Sequence, residues 1–174
     1  GYDAWNQGRV GFRMDCDLSG DDKDNLMVEG EHFVGNSGGS ATFSSLTIPY
    51  TETRYGNTYN TGQHLLARWS HVRDDDSNWM LQSYFDNFQR DTILNAERVR
   101  TFDIEFQYRF PLCDRHLLTC GGYRYIQDNL PSSDPFTLSS IPVNRNYYVA
   151  SQFIQDEITL APDLWKLILG CKVE

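Results

Sequence analysis

The sequence predicts an all-β fold, an antiparallel up-and-down meander of about eight strands in one domain over 1–174. Three observations predict it. Two ten-residue segments alternate perfectly between apolar and polar side chains. Weaker copies of the same alternation fill most of the remaining chain. Short polar connections alternate with long ones, and no stretch with helical periodicity is left over.

The first perfect segment is Arg9 to Leu18, RVGFRMDCDL, with Val10, Phe12, Met14, Cys16 and Leu18 opposite Arg9, Gly11, Arg13, Asp15 and Asp17. The second is Thr101 to Phe110, TFDIEFQYRF, with Phe102, Ile104, Phe106, Tyr108 and Phe110 opposite Thr101, Asp103, Glu105, Gln107 and Arg109. At 40% apolar residues, one such run arises by chance about 0.3 times in a chain of this length. A helix would scatter these side chains around its circumference; a strand sends them to two faces.

The strands are expected near 5–18, 25–34, 63–73, 79–89, 100–110, 116–128, 147–160 and 164–174. In the second, Leu26, Val28 and Val34 oppose Glu29 and Glu31. In the third, Leu65, Ala67 and Trp69 oppose Arg68 and Ser70. In the fourth, Trp79, Leu81 and Phe85 oppose Gln82, Tyr84 and Asp86. In the sixth, Tyr123 and Tyr125 are read as apolar against Arg124 and Asp128. In the last, Trp165, Leu167, Leu169 and Val173 oppose Lys166, Lys172 and Glu174. Connections 19–24, 74–78, 111–115 and 161–163 are short and polar. Those at 35–62, 87–99 and 129–146 are long. A meander therefore has tight turns at one end and long loops at the other.

Charge and composition narrow the function. The 174 residues carry 15 basic and 24 acidic side chains, a formal net charge of −9, which argues against nucleic acid as a partner. No apolar run approaches the ~18 residues of a membrane helix, but a membrane barrel hides its apolar residues by alternation. Its strands put apolar side chains toward lipid and charged ones toward a wet lumen. A strand of ~11 residues tilted ~45° rises roughly 26 Å, close to the ~25 Å apolar band of such barrels. Tyr108, Phe110, Tyr123, Tyr125, Trp79 and Trp165 near strand ends suit interfacial aromatic girdles. The lumen row expected on this basis is Arg9, Arg13, Asp15, Glu29, Arg68, Asp103, Glu105, Arg109, Arg124 and Asp128. A soluble barrel or sandwich with a solvated charged face reads the same alternation the other way.

Four cysteines, Cys16, Cys113, Cys120 and Cys171, show neither a C-x-x-C pair nor a zinc spacing. The opening Gly1-Tyr2-Asp3, with no basic or apolar leader, suggests a mature piece or fragment. Gly35-Asn36-Ser37-Gly38-Gly39 matches G-x-S-x-G, but a nucleophile elbow needs a helix after the serine, and the sequence offers none. Ser37 thus stands as the alternative of a barrel lipase. Asp21-Asp22-Lys23-Asp24 and Asp74-Asp75-Asp76 lack the Gly and Glu positions of a calcium loop and read as turns. His32, His64, His71 and His116 fall on different strands, so neither a metal nor another cofactor is expected. In the 35–62 connection, Tyr50, Arg54, Tyr55 and Tyr59 form an aromatic-cationic set suited to a chelate or glycan.

Two stretches carry a family resemblance. Phe153-Ile154-Gln155-Asp156-Glu157-Ile158-Thr159-Leu160, the turn Ala161-Pro162-Asp163, and Leu167-Ile168-Leu169-Gly170-Cys171-Lys172-Val173-Glu174 resemble a strand-turn-strand unit of TonB-dependent outer-membrane receptors. Leu81-Gln82-Ser83-Tyr84-Phe85-Asp86 and Gly121-Gly122-Tyr123-Arg124-Tyr125 resemble other hairpins of that family. The resemblance implies a non-enzymatic barrel in the outer membrane that takes up a ferric siderophore or similar scarce chelate. It also implies lipid or lipopolysaccharide around the barrel, and a plug domain and a TonB-type energy coupler as partners. The family's 22-stranded barrel, plug and coupling box exceed what this chain holds, so it is expected to be a barrel segment or a reduced relative. A stand-alone eight-stranded adhesin or structural barrel, and a soluble ligand-binding barrel, remain the other readings.

Overall fold

The computed structural model describes residues 3–73, 76–129, 132–133 and 142–174. Eight long strands form one antiparallel sheet: β1 (Trp5–Asp17), β2 (Asp24–Ser44), β3 (Thr51–Val72), β4 (Asn78–Asp91), β5 (Asn95–Cys113), β6 (His116–Asn129), β8 (Arg145–Ala161) and β9 (Trp165–Val173). Each pairs with the next in sequence. A two-residue strand, β7 (Ser132–Ser133), adds to the start of β5. No helix occurs among the described residues. The meander predicted from alternation is therefore the fold. The sheet is open, since β1 and β9 end it without pairing among the described residues.

Two of the three expected long connections are shorter than the sequence suggests, and most of the third, 129–146, lies outside the described residues. Segment 35–62 is not a loop: β2 and β3 continue through it in unbroken register from Gly35↔Asn60 to Ser44↔Thr51, closing in a turn over 45–50. Thr42, Thr53 and their neighbours are β-formers, and polar strand residues look like loop only when no core demands alternation. Likewise β4 and β5 close at 92–94, where the Thr92 hydroxyl donates to the Asn95 carbonyl at 2.8 Å. The hairpin of β2 and β3 rises past its neighbours, because β1 reaches only Ser37 and β4 only Tyr59.

The two faces differ in shelter, and in an unusual sense. Along β5, Thr101, Asp103, Glu105 and Gln107 are half-buried while Phe102, Ile104 and Phe106 are exposed. The sheet has no buried hydrophobic residue among those described; its fully sheltered side chains are Ser77 and Ser151. A flat sheet would shelter both faces alike. This one curls toward its charged face, so polar side chains converge and apolar ones splay outward.

The hairpin turns at the short end step along the sheet. From each hairpin to the next, the advancing strand runs about two, four and three residues further, as seen at Asn25↔Ser70, Asn78↔Arg109 and His116↔Ile158. With ~3.3 Å per residue and ~4.8 Å between strands, turns lying in one plane require strands tilted roughly 40–45°. The outward residues Trp69, Trp79, Tyr108 and Trp165 each lie near their own turn and so share one level in that frame.

Register corrects the reading of β6. Tyr123 pairs with Glu105 and Tyr125 with Asp103, so both tyrosines stand on the charged face. Arg124 pairs with Ile104 and belongs to the apolar, outer face, not to the charged row. Asp128 pairs with Arg100, a position of that same outer face; its side chain lies outside the described part. The cause is the bulge between Pro111 and Cys113, which fixes where β6 resumes pairing. A one-residue change of register exchanges the faces of a whole strand.

Candidate functional site

The charged face holds eight of the ten residues expected there: Arg9, Arg13, Asp15, Glu29, Arg68, Asp103, Glu105 and Arg109 share it by register. Arg13 pairs within this set, and the other arginines reach other side chains of the same face. Arg13 bonds Asp15 at 2.8 Å and reaches Glu29 at 3.6 Å. Arg9 lies 3.4 Å from Glu31. Arg68 donates to the Gln82 amide oxygen at 2.8 Å, and Arg109 sits 3.9 Å from Glu157, which also takes Lys166 at 2.5 Å. These pairs are open to water, so screening leaves each of them little stabilising effect. Their effect is to keep a curved polar surface ordered.

Above this ladder lies a cluster the sequence reading missed. Phe33 on β2 and Phe88 on β4 both fall on the charged face, with ring centroids 6.4 Å apart. Gly62 on β3 stands between them. A Cβ there would meet the Phe33 ring at 2.3 Å, so the glycine is what lets the ring lie across the strand. Arg9 sits 6.0 Å from the Phe33 centroid and Arg90 5.5 Å from that of Phe88. Arg90 also donates to Asn60 at 3.3 Å. Phe33, Phe88, Arg90 and Asn60, together with Trp5, Gly35 and Ser37, line a recess of about 280 Å³. Two arginines flanking two half-buried rings can grip a flat anionic molecule by stacking and charge. The signal available in the sequence was Phe33 and Phe88 at charged positions of their strands, where an apolar side chain has no packing reason to be.

The set Tyr50, Arg54, Tyr55 and Tyr59 is not brought together. Alternation along β3 sends Tyr55 and Tyr59 to one face and Arg54 to the other, while Tyr50 occupies the turn with φ 68°. Arg54 is held locally, bonding Glu52 at 2.8 Å and lying 4.6 Å over the Phe43 ring.

Ser37 is paired with Trp5 and Thr58. His64 stands opposite Glu31, six residues further down β2, so no histidine is positioned beside Ser37 by register. Among the described residues no group of three or more His, Cys, Asp or Glu side chains converges as a metal site would. Asp74 and Asp75 lie outside the described residues. The acids of the first turn serve the backbone: Asp17 accepts N–H bonds from Ser19, Gly20 and Asp22 at 3.0–3.1 Å. Those bonds, the Asp22 amide foremost, hold its carboxyl below the usual carboxylate range. Asp21 is lowered too, chiefly by the Ser19 hydroxyl. All four cysteines are free, and Cys16 and Cys171 point outward on the two open edges. No protein-family model, no curated protein and no solved structure matches the chain.

Proposed function

We propose that this chain is a segment of an outer-membrane receptor barrel of the TonB-dependent type, a non-enzymatic protein that takes up a ferric siderophore or similar anionic chelate. The observation that carries the membrane part is the inverted shelter of the two faces. Water rewards burial of Phe and Leu and exposure of Arg and Glu. Here Phe102, Phe106 and Ile104 are 43, 46 and 39% exposed on the outer face, while Asp103, Glu105 and Gln107, which alternate with them along β5, are half-buried. Lipid outside and water within make that arrangement the stable one. The strand tilt of roughly 40–45° suits the ~35–45° of such barrels. Gln63, Asn87 and Arg100, neighbours on the outer face, mark where the apolar band ends above. The ring of Trp69, Trp79, Tyr108 and Trp165 marks where it ends below. Within the lumen, the Arg9–Phe33–Phe88–Arg90 cluster supplies cations and ring faces for a flat anion, beneath the protruding hairpin of β2 and β3.

The stand-alone eight-stranded barrel is the second reading. β1 runs toward the short turns and β9 away from them, so the edges have the right sense to pair. With their apolar bands aligned, however, the inward residues Arg9, Gly11 and Arg13 would face Lys166, Ile168, Gly170 and Lys172. At least one arginine then stands beside a lysine, an unfavourable cross-strand pair. Further strands at both edges avoid this, and they satisfy backbone groups that cost several kcal/mol each in hydrocarbon.

The test uses the full-length protein in its native membrane. It should need detergent for extraction and migrate faster on gels unheated than heated. Cys16 and Cys171 should react with lipid-soluble maleimides and resist bulky water-soluble ones. Cells lacking the protein should lose growth on at least one ferric chelate as sole iron source. A monomer soluble in plain buffer overturns the membrane reading; full growth on every chelate tried overturns the receptor reading alone.

A further inference from the structure

The β2–β3 hairpin rises clear of both neighbours, and one of its edges is left open. The Gly38 amide donates to the Ala4 carbonyl of the β1 side at 2.8 Å, while the Ser45 amide donates the other way, to the Tyr50 carbonyl at 2.9 Å. Backbone groups alternate sides along a strand. Those of Ser40, Thr42 and Ser44 therefore point to the side that β1 has left. Over 39–44 no strand lies on that side among the described residues. All three residues are exposed, and the open edge is about 17 Å long at ~3.3 Å per residue. Natural sheets guard an open edge with charge, proline or a bulge. β1 carries Arg9, Arg13, Asp15 and Asp17, and β9 carries Lys166 and Lys172. Segment 38–44 is Gly-Gly-Ser-Ala-Thr-Phe-Ser, with neither charge nor proline, in a register without a bulge.

We propose that this edge takes an extended peptide segment of a partner protein as an added antiparallel strand, with an aromatic side chain of that segment laid over Gly39. A row of unpaired amides and carbonyls at strand spacing is matched by another extended backbone; a lipid, a chelate or a sugar has no such repeat. The edge is ordered beforehand. The Thr42 and Thr53 hydroxyls meet at 2.8 Å, Arg54 lies 4.6 Å over the Phe43 ring, and the Tyr50 amide donates to the Thr47 carbonyl at 2.6 Å. Pairing therefore costs little ordering of the hairpin. The aromatic follows from the sheet's own habit. Phe12 lies over Gly30, Phe33 over Gly62 and Phe153 over Gly121, each the glycine directly opposite. Gly39 faces another glycine, Gly56, which Ile93 approaches. No described atom lies within 4 Å of where a Gly39 Cβ would stand, so its surface is open to a ring arriving from the free side.

The experiment is fluorescence anisotropy with purified full-length protein and the labelled peptide Thr-Val-Thr-Val-Thr-Phe, whose first residue would face Ser44 and whose last would face Gly39. It should bind saturably. Methylating its third and fifth amides, which face Thr42 and Ser40, should weaken binding about tenfold or more; methylating the second and fourth, which face away, should not. Thr42→Pro removes a donor from the open side only and should weaken binding about tenfold. Gly39→Ala should weaken the phenylalanine peptide about tenfold and leave its alanine analogue unchanged, whichever way the proline variant folds. Equal binding of the two methylated peptides, unaltered binding by both protein variants, or no saturable binding overturns the proposal. A dimer of the protein that Thr42→Pro disperses makes a second copy the occupant and overturns it as well. None of these readouts depends on the solvent at the outer face, so the membrane reading stands or falls separately.

Discussion

Replacing Phe106 by Arg separates the two solvents that the outer face could meet. Phe106 lies in the outer band, two residues from its Tyr108 border, between Leu81 and Gly122 on neighbouring strands, and is 46% exposed. In water, exchanging so exposed a phenyl ring for a guanidinium changes stability by no more than about 0.5 kcal/mol. Against acyl chains, an arginine costs roughly 2–4 kcal/mol at the bilayer midplane and roughly 0–1 at the interface; two residues inside the border about 2 kcal/mol is expected, a shift of about thirtyfold in the folded-to-unfolded ratio. The neighbouring Gln107→Arg places the same charge on the wet face and should stay within about 0.5 kcal/mol. The measurement is reversible denaturant unfolding from phospholipid vesicles, followed by tryptophan fluorescence. The difference between the two variants removes effects common to adding an arginine to β5. Equal stabilities for Phe106→Arg and Gln107→Arg, or better soluble yield of the Phe106 variant, would refute an outer face in lipid.

Four other outcomes are expected. Gly121→Ala should destabilise by about 2 kcal/mol or more in the same unfolding assay, because the added Cβ would lie 2.4 Å from the Phe106 backbone carbonyl, an overpacking with no flexible neighbour to yield. Gly39→Ala, with nothing within 4 Å of the added carbon, should stay within about 0.5 kcal/mol. Arg90→Gln and Phe88→Leu should each weaken chelate binding about tenfold without altering membrane insertion, measured by quenching of intrinsic fluorescence on titration. Asp17 has a folded pKa below its ordinary value, so its carboxylate orders the first turn above the usual carboxylate range and loses that effect as pH falls through the lowered value. Protection of the Ser19, Gly20 and Asp22 amides from hydrogen exchange, taken relative to the unstructured rate at the same pH, should accordingly be present at neutral pH, fall as pH drops through the lowered Asp17 value, and be lost at neutral pH in Asp17→Ala.

Much of this was legible because strands write their two faces into alternate residues. The segments at 9–18 and 101–110 specified strand, face and charge row without help from the rest of the chain. Short acidic turns announced the hairpin mouths, and the Asp17 turn shows why: its carboxylate replaces missing backbone acceptors. Tyr123 and Arg124 were assigned to the wrong faces because tyrosine suits either one. In the structure the hydroxyl of Tyr123 donates to Glu174 at 2.6 Å and that of Tyr125 to Gln127 at 2.6 Å, a polar use that alternation does not reveal. Polar strand residues at 35–44 and 51–62 hid a continuous hairpin for a related reason, since nothing apolar marks a ladder with solvent on both sides.

Local chemistry thus determined which residues are strand and, for most of them, which neighbours share a face, since backbone pleating needs only the chain itself. Which face is sheltered was decided by curvature, a property of eight strands together. The meeting of Phe33, Phe88, Arg9 and Arg90 was decided by registers between strands whose residues lie up to 81 positions apart, 9 to 90. Pairing across a sheet depends on turn length, a bulge at Pro111 and the tilt they impose, and none of these is carried by a single strand.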